Sequence, residues 1–133
     1  MAIEVEMSLR LLLAAALGAI IGYQRARAGK PAGLRDYTLI CVGAALFTVA
    51  SIYGFGADVD PARVAAGIVT GVGFLGAGAI IRREEGIIAG LTTAATIWVV
   101  AAIGLAAGAG LYVVSAVAAV IALIILFLPH PIR

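Results

Sequence analysis

The sequence predicts an all-α membrane protein: a single domain over residues 1–133, built as a bundle of about five transmembrane helices. Three observations predict it. First, 64% of the 133 residues are hydrophobic and only 12% are charged, more apolar surface than a soluble domain of this size can hide from water. Second, the apolar residues are gathered into blocks of spanning length. Third, seventeen glycines and repeated alanine runs suit closely packed helices. The short alternating stretches of a membrane barrel do not occur.

Helix 1 is expected over 7–23, with Arg10 near its outer end, where a long side chain can snorkel to the headgroups. It reads as a retained helix and not a secretory signal: Glu4 and Glu6 precede it where a signal carries positive charge. The loop 24–36 holds Arg25, Arg27, Lys30 and Arg35 against Asp36, and Pro31 and Gly33 break helical continuation. Helix 2 is expected over 37–53. Asp58 and Asp60 then form an acidic loop, and Asp60 before Pro61 is a helix start: a side-chain cap followed by a residue whose missing N–H costs nothing at the first position. Arg63, one turn on, is placed to pair with Asp58 or Asp60. Helix 3 is expected over 61–81, followed by a loop with Arg82, Arg83, Glu84 and Glu85. Helix 4 is expected over 91–108 and helix 5 over 111–128, joined by a tight hairpin. Pro129 and Pro131 end the run.

Each block can cross a core of about 30 Å at about 1.5 Å per residue. The basic 24–36 loop, the acidic Asp58/Asp60 loop, the return of Arg82 and Arg83, and the terminal Arg133 together predict an outside N-terminus and a cytoplasmic C-terminus. Tyr23, Tyr37, Tyr53 and Tyr112 fall at the expected interfaces.

Chemistry is sparse. The one histidine, His130, stands in the tail, and no His/Cys/Asp/Glu spacing suggests a metal site. No nucleophile lies near a base, no phosphate-cradling loop joins a strand to a helix, and no basic stripe alternates with aromatics. An enzyme, a resident cofactor and nucleic-acid binding are therefore not expected. Cys41, alone and inside an apolar run, reads as a buried thiol.

The glycines read in two ways. Gly18/Gly22, Gly67/Gly71 and Gly104/Gly108 are small-xxx-small pairs that let helices approach closely in lipid. Gly71, Gly73, Gly76 and Gly78 crowd two turns of helix 3, and a break there is the sharper reading, since broken helices at membrane depth line cavities and binding sites. Thr92 and Thr96, four apart, share a helix face that could meet this glycine-rich strip; back-bonding to their own carbonyls is the plainer role. Trp98, deep in helix 4, reads as a packing anchor whose indole N–H needs a partner inside the bundle.

The stretches Gly29-Lys30-Pro31-Ala32-Gly33-Leu34-Arg35, 71–78 (GVGFLGAG) and 90–98 (GLTTAATIW), with Ala101-Ala102-Ile103-Gly104 after them, resemble the MgtC/SapB family of bacterial membrane proteins. The resemblance covers nearly the whole chain. It implies a five-helix, multi-pass protein of the bacterial inner membrane, here the transmembrane part without the soluble C-terminal domain that some relatives carry. It also implies a link to growth at low Mg²⁺, to survival of pathogens inside macrophages and to control of the proton-translocating ATP synthase. By motif it points to Arg25, Arg35, Gly73, Gly76, Gly78, Thr92, Thr93 and Trp98. Relatives often have Glu at the place of Gln24, Gln at that of Gly67 and sometimes Asn at that of Thr92.

Two functions are expected to compete. One is a non-enzymatic regulator in adaptation to low Mg²⁺ and membrane energetics, acting through helix contacts with another membrane complex such as the ATP synthase. The other is a small oligomeric transporter or channel for Mg²⁺, protons or another small solute. The absence of acidic residues from the helix interiors favours the first, because ion-coupled carriers keep ionisable groups near the midplane. Small-residue faces make a homodimer the expected assembly.

Overall fold

Apolar blocks of spanning length without strand alternation satisfy their backbones in lipid as helices, and helices are what a computed structural model of the chain contains. It describes residues 2–80 and 90–129. Five helices follow in order: α1 (Ala2–Arg27), α2 (Leu34–Tyr53), α3 (Ala62–Ile80), α4 (Leu91–Gly108) and α5 (Tyr112–Leu126). No strand occurs among the described residues. The first four are long and apolar enough to cross a membrane. The fifth has 15 residues, about 22 Å of helix. The predicted loop 82–86 and the tail 130–133 lie outside the described residues.

The boundaries of α3 and α4 lie within a residue of expectation, but α1 is longer at both ends. Arg25 and Arg27 belong to its last turn, and Arg35 and Asp36 to the first turn of α2, so none of the four lies in a loop. Charges at these ends suit a helix: basic groups meet the negative C-terminal pole of α1, and Asp36 the positive N-terminal pole of α2. The Asp36 Oδ2 accepts from the Gly33 N–H at 2.9 Å, which fixes the start of α2.

Two turns share one device. After α1, the Gly29 N–H donates to the Ala26 carbonyl at 3.0 Å and the Lys30 N–H to that of Arg25 at 3.1 Å. After α4, the Gly110 N–H donates to Ala107 at 3.0 Å and the Leu111 N–H to Ala106 at 2.9 Å. Each is a Schellman cap, and each needs a left-handed residue, supplied by Gly29 at φ +75° and Gly110 at φ +87°. The second makes the predicted α4–α5 hairpin. At the start of α3 the Asp60 Oδ1 accepts from the Ala62 N–H at 3.0 Å, the expected cap. Ser51 ties the end of α2 to that corner through the Pro61 carbonyl at 3.1 Å.

The core is built from small residues closing on α2. On α1, a Cβ at Gly18 would stand 2.7 Å from Cys41 Cβ, and one at Gly22 would stand 2.9 Å from Leu34 Cα. On α4, a Cβ at Gly104 would strike the Cys41 carbonyl and one at Gly108 the Ala45 carbonyl at 2.5 Å. Two glycine pairs thus bring α1 and α4 backbone-close to α2, as helix association in lipid favours. Cys41 is fully buried between them. α4 is central and touches each of the other four helices.

Gly67 departs from the packing expected of it. A Cβ there would meet nothing within 4 Å, nor would one at Gly71, Gly73 or Gly78; only one at Gly76 would make contact, with Ala94 of α4. α3 is also unbroken from Ala62 to Ile80, against the expected break. A glycine costs a helix about 1 kcal/mol, whereas an unpaired backbone group in hydrocarbon costs several. Each glycine keeps its N–H, so the continuous ladder wins. Only Ile68 and Gly76 of α3 are buried. Beside it, an apolar groove of about 540 Å³ opens between α2 and α3 over Gly43, Gly67 and Gly71.

Candidate functional site

The buried stripe of α1 reads Arg10, Ala14, Leu17, Gly18, Ile21, Gly22, Arg25. These positions fall at helical spacing on one face, so the same face that packs on α2 and α4 carries an arginine at either end. Both are buried, Arg10 at 7% and Arg25 at 3% exposure.

Arg10, expected near the outer end of its helix, is buried among protein partners at that end. Its Nη1 donates to the Gly108 carbonyl at 3.0 Å, and its Nη2 pairs with Glu6 at 2.8 Å. Its guanidinium lies 5.3 Å from the centroid of the Tyr53 ring. The Tyr112 hydroxyl donates to the same Glu6 oxygen at 3.2 Å. Gly108 ends α4, so its carbonyl has no partner within the helix, and a cation there meets the negative pole of α4. The α4–α5 hairpin is folded around this group: a Cβ at Gly110 would stand 2.9 Å from Arg10 Nη2.

Arg25 is placed differently. Its Nη2 donates to Thr93 Oγ1 at 3.0 Å, joining the last turn of α1 to the first turn of α4. No carboxylate among the described residues pairs with it. Its Nε is buried without a partner, as are the Tyr37 hydroxyl and Gln24 Oε1. Tyr37 is fully buried beside Arg25, and its hydroxyl has no partner in hydrogen-bond geometry. The first turn of α4 has no side-chain cap, because Gly90 stands at the cap position with φ +83°.

Arg25 and Thr93, both implied by the resemblance, are therefore brought together, while the other predicted residues are dispersed. Thr92 is exposed. Thr96 is buried and donates to the Thr92 carbonyl at 2.7 Å, the plainer of its two expected roles; neither threonine meets the glycines of α3. Trp98 is 54% exposed and does not anchor the interior. The buried positions of α4 take up most of its circumference, and 91, 95, 98 and 102 form the remaining outward stripe. Arg35 is exposed, as is Arg63, which pairs with neither Asp58 nor Asp60. Among the described residues no three His, Cys, Asp or Glu side chains gather as a metal site would require. Sequence reasoning missed the roles of Arg10, Glu6 and Tyr37. A charged residue inside an apolar run was the available signal for Arg10.

Comparison with known proteins gives these positions a family. The MgtC family matches residues 11–133. The "Putative magnesium transporter YhiD" of Escherichia coli (strain K12) is 49% identical over 133 residues, covering 94% of this chain and 61% of the relative. Protein SrpB of Synechococcus elongatus is 45% identical over 118 residues, 80% of this chain and 65% of the relative. Protein MgtC of Brucella abortus is 53% identical over 104 residues, 78% of this chain and 43% of the relative. The chain thus spans less than two thirds of the length of these curated relatives. No solved structure matches it. With a family match over nearly all its residues and an apolar five-helix bundle in which the motif residues Arg25 and Thr93 meet, this chain belongs to the MgtC family.

Proposed function

We propose that this protein is a multi-pass inner-membrane regulator that serves adaptation to low Mg²⁺ and membrane energetics through contacts with other membrane proteins. Its N-terminus lies outside and its C-terminus in the cytoplasm, following the basic and acidic loops. It acts without catalysing a reaction and assembles as a homodimer.

The outer face of α3 carries this reading. Gly67, Gly71 and Gly78 share one face of α3 and leave backbone bare to the surroundings, the first two beside the apolar groove against α2. In lipid, exposed small residues are where another helix gains close van der Waals contact. A regulator working by helix contact needs such a face, and α3 is the least buried of the four long helices.

The second reading is a small oligomeric transporter or channel for Mg²⁺, protons or another small solute. It is favoured by the name of the Escherichia coli relative, a putative magnesium transporter. Flux from vesicles holding purified protein separates the two. The regulatory reading expects no Mg²⁺ or proton movement above empty vesicles, together with cross-linking of a cysteine placed at Gly71 to a specific membrane partner. Flux that disappears with Gly71→Leu would overturn it.

A further inference from the structure

We propose that Arg25, Tyr37 and the first turn of α4 form a binding site for a phosphate oxyanion, carried by a phospholipid headgroup or free in solution. This stands apart from whether the protein regulates or transports.

Three features converge on one point. Arg25 is a buried cation with no carboxylate beside it among the described residues. A lone buried charge is costly unless an opposite charge and further hydrogen bonds complete it. Its buried Nε has no acceptor. The Tyr37 hydroxyl, fully buried in the same field, is a second donor without a partner. Both belong to the outer turns of their helices, so the unsatisfied donors lie at an end of the bundle and not at its centre.

The first turn of α4 adds the third. Arg25 is bonded to Thr93, the third residue of that helix. The N–H groups of a first helical turn point away from the helix and carry partial positive charge. A serine, threonine or aspartate at the cap would ordinarily accept from them, but Gly90 has no side chain to do so. A guanidinium, a phenol and a helix N-terminus put more donors than acceptors in the same place, Thr93 Oγ1 taking only one of the guanidinium N–H groups. That is the donor set of an oxyanion site.

The depth selects phosphate. Arg25 is two residues from the end of α1, and Thr93 is two residues from the start of α4. In a spanning bundle such ends lie at the level of the headgroups, whose abundant oxyanion is the phosphodiester. Exposed Leu91 and Thr92 border the site on the lipid side.

Native mass spectrometry of the detergent-purified chain tests this with two lipids of equal acyl chains, phosphatidylglycerol and diacylglycerol. The expected result is a retained phosphatidylglycerol adduct, little diacylglycerol, and at least about tenfold weaker phosphatidylglycerol binding in Arg25→Gln. In a second arm, inorganic phosphate is compared with chloride at equal ionic strength during thermal unfolding. Stabilisation of the wild type but not Arg25→Gln identifies free phosphate as a ligand. Equal retention of the two lipids without stabilisation by inorganic phosphate, or binding in folded Arg25→Gln equal to wild type, overturns the proposal. Tyr37→Phe, which removes only a hydroxyl, should weaken binding about threefold. If Arg25→Gln does not fold, unchanged binding in Tyr37→Phe overturns it.

Discussion

The two arginines of α1 are on one helix face, both buried and each with an unpartnered Nε, yet one has its charge paired and the other does not. Arg10 has a carboxylate, a helix-terminal carbonyl and an aromatic ring around it. Arg25 has a threonine hydroxyl. The Arg10 end thus has its charge balanced, a clamp between α1 and the α4–α5 hairpin, although its Nε too is buried without a partner. The Arg25 end holds a charge and donors that its own surroundings leave incomplete. Burial alone does not make a charged residue structural or functional; what completes its charge decides.

Substitutions can break this contrast or sharpen it. The largest effect is expected at Arg10→Met, which leaves the Gly108 carbonyl without its partner and opens the hairpin. It should cost about 3 kcal/mol, read as a lower unfolding temperature in detergent. Arg25→Met should change stability by no more than about 1 kcal/mol in the absence of phosphate, because it removes a charge that nothing balances. Equal losses at the two sites would erase the distinction. Next comes Gly110→Ala, at φ +87° with Arg10 against it. The backbone strain and the displaced guanidinium together should cost about 2 kcal/mol in the same assay. Gly29→Ala has a similar φ, +75°, but open space around it. It should cost about 1 kcal/mol, the backbone preference alone. The difference between these alanines measures what Arg10 adds to its turn. Smallest is Tyr112→Phe, an exposed hydroxyl on Glu6, expected to shift stability by about 0.5 kcal/mol.

Helix positions were legible in the sequence; helix faces were less so. In water, an apolar stripe against a polar one tells which side packs. Here both sides of a helix are apolar, because lipid and core are alike to a leucine. Only small residues and stray polar groups marked the contacts. Gly18, Gly22, Gly104 and Gly108 did so reliably, since backbone lies against each. Gly67 has the same spacing to Gly71 but faces outward, and nothing local distinguishes it. Trp98 misled for the same reason: a deep position in a spanning helix does not say whether lipid or protein lies beside it. At the site, Arg25 and Thr93 came from family motifs separated widely in the chain, and their bond is visible only in the fold. Arg10 was noticed as a charge, but its acceptor, Gly108, is 98 residues away.

The central place of α4 has a consequence for assembly. The first hairpin, α1 with α2, can pack as soon as it is made, but α3 has little to lean on until its successor arrives. The place of α3 in the bundle is therefore completed only once α4 is made. A nascent chain halted before residue 91 should be a preferred target for membrane proteases.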